Sequence, residues 1–88
     1  MDKVYIVIEE YDPYLDYPNI SSRAELTIHG VFKNIEDALA YRREFVEEEE
    51  REYDVDEVDK ISEEQYNDPH SQLKQLNSTY YISEYEVQ

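Results

Sequence analysis

Cysteine is absent from this 88-residue chain, so neither a disulfide nor a thiolate metal centre supports its fold. Tryptophan is absent too, and glycine occurs once, at Gly30. A single glycine leaves no Gly-rich loop to cradle a phosphate. Cations are scarce: eight Lys and Arg stand against 23 Asp and Glu, for a formal charge of −15. That balance disfavours direct contact with nucleic acid, anionic membranes and acidic substrates. It favours basic surfaces, approached quickly and with strong salt dependence. No apolar run nears the roughly 20 residues that span a bilayer. Met1-Asp2-Lys3 opens straight into a five-residue apolar run, without the layout of a signal peptide. A cytoplasmic protein that does not engage membranes is expected.

Catalytic signatures are missing as well. There is no cysteine nucleophile and no G-x-S-x-G. Carboxylates abound, but nothing in the sequence marks a concave pocket that would bring one of them to a near-neutral pKa. His29 and His70 stand alone, outside any HExxH-type spacing. The run Asp54-Val55-Asp56-Glu57-Val58-Asp59 faintly resembles a calcium loop. It carries Val58 where that loop needs an oxygen ligand and Asp59 where it needs glycine. The expectation is a protein that is not an enzyme, with no cofactor, no metal and no catalytic residues.

What the chain has is carboxylate and tyrosine. Ten acids lie between Glu44 and Asp59, against Arg51 alone. Like charges at that density repel, and folding does not ask for them. If the segment is helical, Glu44, Glu48 and Glu52 stack on one face, with Glu47 and Glu50 on an adjacent one. Five carboxylates from Glu47 to Glu52 then span about 7–8 Å. Duplex DNA carries roughly one negative charge per 1.7 Å of axis, a comparable density. Tyrosine occurs ten times, often beside acids, as in Glu52-Tyr53-Asp54 and Tyr14-Leu15-Asp16-Tyr17. Exposed Tyr offers a large rigid contact with a polar tip and stacks well with guanidinium. The expected partner-binding set is Glu44, Glu47, Glu48, Glu50, Glu52, Tyr53, Asp54, Asp56, Glu57 and Asp59, joined by Tyr14, Asp16 and Tyr17. The bland alternative is a solvated charged face, with tyrosines such as Tyr5, Tyr80 and Tyr81 filling a sheet.

Patterning predicts one α+β domain over residues 1–88. Val4-Tyr5-Ile6-Val7-Ile8 marks a central strand running from Lys3 to Tyr11. A Pro- and Asp-rich loop follows, to about Ser22. The second strand is expected over Ala24 to Phe32, with Gly30 at a bulge or bend. Asn34 is placed to cap a helix from Ile35 to about Glu52. Ile35, Ala38, Leu39, Phe45 and Val46 form its apolar stripe, and the stem of Arg42 lies near it. The pattern then fades into an acidic, partly irregular insert, with the helix end, over residues 47–78. Within it Val55, Val58 and Ile61 suggest a short helical continuation, Ser62 to Tyr66 a helical turn, and Gln72 to Leu76 another. A last strand runs from Thr79 to Val87. The simplest assembly is a three-stranded antiparallel sheet, order 2-1-3, with the helix on one face. Tyr5, Tyr81 and Tyr85 are expected on the other.

The opening Val4-Tyr5-Ile6-Val7-Ile8-Glu9-Glu10-Tyr11 resembles, together with Ile28-His29-Gly30-Val31-Phe32-Lys33-Asn34-Ile35-Glu36-Asp37-Ala38 and Tyr80-Tyr81-Ile82-Ser83-Glu84-Tyr85-Glu86-Val87, a family of small proteins. That family occurs in phages and prophages of low-GC Gram-positive bacteria. The resemblance covers about half the chain and implies the strand-strand-helix-strand fold, with no activity attached. In size, charge and Tyr content the chain is also similar to acidic phage proteins that mimic DNA, such as anti-restriction and anti-CRISPR proteins. That second likeness rests on no alignable motif. It implies an inhibitor that binds a basic, nucleic-acid-binding host protein by DNA mimicry, in the host bacterial cytoplasm. A second reading is a small adaptor or regulatory module that associates through a sheet edge, including with a second copy of itself, its acidic helix merely solvated. A third is a small-molecule-binding protein that uses the open sheet face.

Overall fold

A computed structural model describes residues 2–12 and 25–87. The fold is α+β: a four-stranded antiparallel sheet with two helices on one face. Strand β1 is Asp2–Tyr11, β2 Glu25–Phe32, β3 Leu73–Gln75 and β4 Ser78–Val87. Helix α1 is Ile35–Glu52 and α2 Glu63–Asn67, with a 3₁₀ turn at Glu57–Asp59 between them. The sheet order is β2-β1-β4-β3. The expected arrangement of first, second and last strands therefore holds, with β1 between two antiparallel neighbours. The expected Pro- and Asp-rich loop, and Ala24 at the expected start of the second strand, lie outside the described residues.

The fourth strand is a correction. Gln72 to Leu76 is not a helical turn: Leu73–Gln75 pairs antiparallel with β4 through a two-residue turn, Leu76-Asn77. Leu76 takes the left-handed φ of 57° that tight hairpin turns demand. A leucine in that place hides the signal, because Asn or Gly is what such turns usually display. Leu73 is fully buried beside Val46, Tyr66 and Tyr80, with Phe45 and Ile61 packed against them. That core gives the strand its reason to form.

The bulge falls where Gly30 stands. Val7 faces Gly30 and Ile8 faces Ile28, so His29 is the extra residue. It turns toward α1, its ring 4.4 Å from that of Phe45. A Cβ at residue 30 would come within 2.9 Å of the Phe32 ring, which explains the glycine. Register also corrects Tyr5. It lies opposite Phe32, which contacts Tyr41 of α1, so Tyr5 is on the helix side and not on the open face.

Asn34 occupies the position before α1 with extended backbone, and its carbonyl accepts from Ala38 N–H at 3.3 Å. Its side chain does not cap the helix; it donates to Asp37 instead. The far end closes by a Schellman motif. Val55 N–H donates to the Glu50 carbonyl at 3.0 Å, and Asp54 N–H to that of Arg51. Asp54 holds the left-handed place at φ 52°.

The segment after α1 is better tied down than its charge suggests. Arg42 has no exposed surface and is the hub. Its guanidinium donates to the carbonyls of Ser71 (2.8 Å), Asp68 (2.9 Å), Tyr66 (3.3 Å) and Gln65 (3.4 Å). It thus does more than cover apolar surface with its stem. A delocalised five-donor fork can gather several carbonyls at the end of α2, which an ammonium cannot. Burial pulls its pKa down, and nearby Asp68 opposes that. Helix α2 forms where Ser62 and Gln65 make a reciprocal capping box. The continuation expected from Val55, Val58 and Ile61 is only the 3₁₀ turn, and Val58 is 91 % exposed. Among the described residues no helix is long and apolar enough to cross a membrane.

Candidate partner-binding surface

Helix α1 sorts its carboxylates by face. Positions 38, 42, 46 and 50 repeat every four residues and are buried. Positions 44, 48 and 52 repeat on the opposite side and are exposed. Glu44, Glu48 and Glu52 thus form a line stepping about 6 Å per residue pair. Asp54, Asp56 and Asp59 extend it through the exposed chain that follows. None of these six carboxylates has a cation within ion-pair distance among the described residues.

Three members of the expected set are engaged within the fold. Glu50 is only 4 % exposed and is removed from the surface. It accepts from Tyr66 Oη, from Ile61 N–H at 3.0 Å and from Gln75 Nε2 at 3.1 Å. It therefore holds the core together and cannot meet a partner. Glu47 is half-buried and takes the Nε of Arg43. The rest of that guanidinium makes a two-pronged contact with Glu63 and lies 5.1 Å from the Tyr66 ring centre. Those carboxylates raise the Arg43 pKa. Glu57 stays exposed but pairs with Lys60 at 2.9 Å. The expected five carboxylates in 7–8 Å are accordingly not all available. Tyr14, Asp16 and Tyr17 lie outside the described residues.

Tyr53 stands beside the line, 59 % exposed. It forms one wall of a groove of about 530 Å³, shared with Glu9, Tyr11, Glu49, Leu76 and Asn77. Burial, with the nearby Glu9 and Glu52 carboxylates, raises the pKa of Glu49, and His29 offsets part of this. Glu9 accepts from Ser78 Oγ at 2.6 Å and lies 2.8 Å from His29 Nε2. Leu76 projects here from its left-handed position, half exposed. Two tyrosines, two carboxylates and an aliphatic rim suit the stem and charged head of a Lys or Arg side chain. Sequence reading missed Glu9, Tyr11 and Leu76. Glu49 was visible only as one acid among ten. The run Glu9-Glu10-Tyr11-Asp12 at the end of β1, with its tyrosine between acids, was the available signal for the first two.

The other described cavities are shallow clefts of about 200–330 Å³. No group of three or more metal-ligating side chains converges among the described residues. No protein-family model, no curated protein and no solved structure matches this chain.

Proposed function

We propose that the chain is an inhibitor of the phage type: it binds a basic, nucleic-acid-binding host protein, a defence nuclease or DNA-processing enzyme, and covers the surface that holds nucleic acid. One observation carries this reading. Six exposed carboxylates from Glu44 to Asp59 have no cation within ion-pair distance among the described residues, while Arg42, Arg43 and Lys60 are used within the fold. The line Glu44-Glu48-Glu52 steps about 6 Å, close to the roughly 6.8 Å covered by two phosphate steps of one DNA strand. The likeness is thus to one strand's backbone, at every second phosphate, rather than to the full duplex density. Tyr53 and the groove behind it supply the contact that a bare charge run lacks.

Capture from bacterial lysate followed by elution with duplex DNA tests this. A protein held by the native chain, released by DNA and ignored by Glu44→Lys/Glu48→Lys/Glu52→Lys supports the reading. Capture indifferent to both overturns it. The alternative, an adaptor that associates through its sheet, is favoured by a separate observation: an apolar sheet face that neither helix covers.

A further inference from the structure

Both helices pack on one side of the sheet, through Val46, Tyr66, Phe45, Leu73 and Tyr80. The opposite side has no layer among the described residues. Register identifies its members. Ile6 faces Val31 and Ile8 faces Ile28 across β1 and β2; Val4 faces Tyr85 and Ile8 faces Tyr81 across β1 and β4. Directly opposed residues share a face. Leu26 and Ile28 are each 64 % exposed, and Val31, Tyr85 and Val87 are about half exposed or more. These five alone leave on the order of 500–600 Å² of largely apolar surface in one patch, at the upper end of what monomers expose.

The patch is also almost free of charge. Among the described strand residues, register puts only three charged ones on this side, Asp2, Glu10 and Lys74, all at its margins. On a chain of charge −15 that is a marked exclusion. A basic partner is drawn to the other side, where the free carboxylates lie. What matches this one is a flat, uncharged sheet face, which the chain itself supplies.

We propose that a second copy of this chain covers the face, forming a two-fold, face-to-face sandwich with the helices outside. Sheets pack in this way about 10 Å apart with their strands roughly aligned. The area buried on both copies comes to about 1,100 Å², at the lower margin of specific interfaces. Charge permits it. The acidic lines end up on the outer surfaces of the two helical layers, some 30 Å or more apart, against a screening length of about 8 Å in physiological salt. The dimer presents two acidic lines facing opposite ways. This inference does not depend on the function proposed above.

Sedimentation equilibrium of the full chain at physiological salt tests it. The expected result is twice the monomer mass, retained at high salt because the contact is apolar. Ile28→Lys/Tyr85→Lys is expected to sediment as a monomer with an unchanged far-ultraviolet spectrum, since both side chains are more than half exposed in one copy. The milder Ile28→Thr/Val31→Thr variant keeps β-branched side chains and is expected to weaken association about tenfold or more. A native chain that stays monomeric at about 100 µM overturns the proposal. So does a dimer that both variants leave intact, which would place the contact on a sheet edge.

Discussion

Glu48 and Glu50 stand two residues apart on α1 and meet opposite surroundings: Glu48 is exposed, while Glu50 is buried under Tyr66, Ile61 and Gln75, each donating to it. The same residue type thus serves surface and core within half a helical turn. Glu50→Ala leaves three donors without their acceptor, and the expected loss is about 3 kcal/mol or more. Glu48→Gln is expected to stay within about 0.5 kcal/mol of the native chain. Urea denaturation of both variants checks this. Equal stabilities would contradict the buried placement of Glu50.

Arg42 ties α2 and the chain between α2 and β3 to α1 through four carbonyls and the Ser71 hydroxyl. Arg42→Met removes the guanidinium from all four carbonyls, of which those of Gln65 and Asp68 keep other donors, and is expected to cost about 3 kcal/mol. Arg42→Lys is expected to recover only part, because one ammonium cannot reach the carbonyls at both ends. Amide hydrogen exchange is expected to speed up first near Asp68 to Ser71. Protection there equal to that of the native chain would contradict the role.

Asp54 holds a left-handed φ at the end of a helix whose dipole disfavours its charge. Asp54→Gly is expected to add about 1 kcal/mol of stability by relieving both. If Asp54 also contributes to the binding line, the stabler variant binds its basic partner more weakly. Thermal melting and affinity moving in opposite directions would separate fold from function at one residue.

The Glu49 pKa is raised, chiefly by burial. Its protonated form is therefore favoured in the folded state. The stability this gives is fully present below the unfolded value of 4.5 and is lost as pH rises through the folded value. Glu63, held down by Arg43, acts in the other direction, but only as pH falls below its ordinary 4.5. As pH falls toward 4.5 the Glu49 contribution thus gains. Glu49→Gln is expected to melt higher than the native chain at pH 7, with the gap narrowing as pH falls toward 4.5. A gap that does not change with pH would contradict the assignment.

Much of this fold was legible. The apolar Val4–Ile8 run, the Gly30 bulge, the bounds of α1 and the Ser62–Tyr66 turn all follow from local pattern, because local sterics and periodicity decide them. Strand β3 was not legible. Three residues carry no period, and the turn beside it displays Leu76 instead of glycine. Glu50 was misplaced because charge predicts exposure, and Arg42, rightly set beside the apolar stripe, was read for its stem and not for its guanidinium. Only the tertiary fold brings four carbonyls to one and three donors to the other. The acidic line was visible as composition, but which carboxylates stay free depends on which face α1 turns to the sheet.

The most direct test is the affinity of one DNA-displaceable partner protein for the native chain and for Glu44→Gln/Glu48→Gln/Glu52→Gln, measured from low to high salt. The expected result is a steep fall in log affinity with log salt for the native chain. For the neutralised variant both affinity and slope are expected to be smaller. Identical curves for the two proteins would show that the exposed carboxylates of α1 do not make the contact.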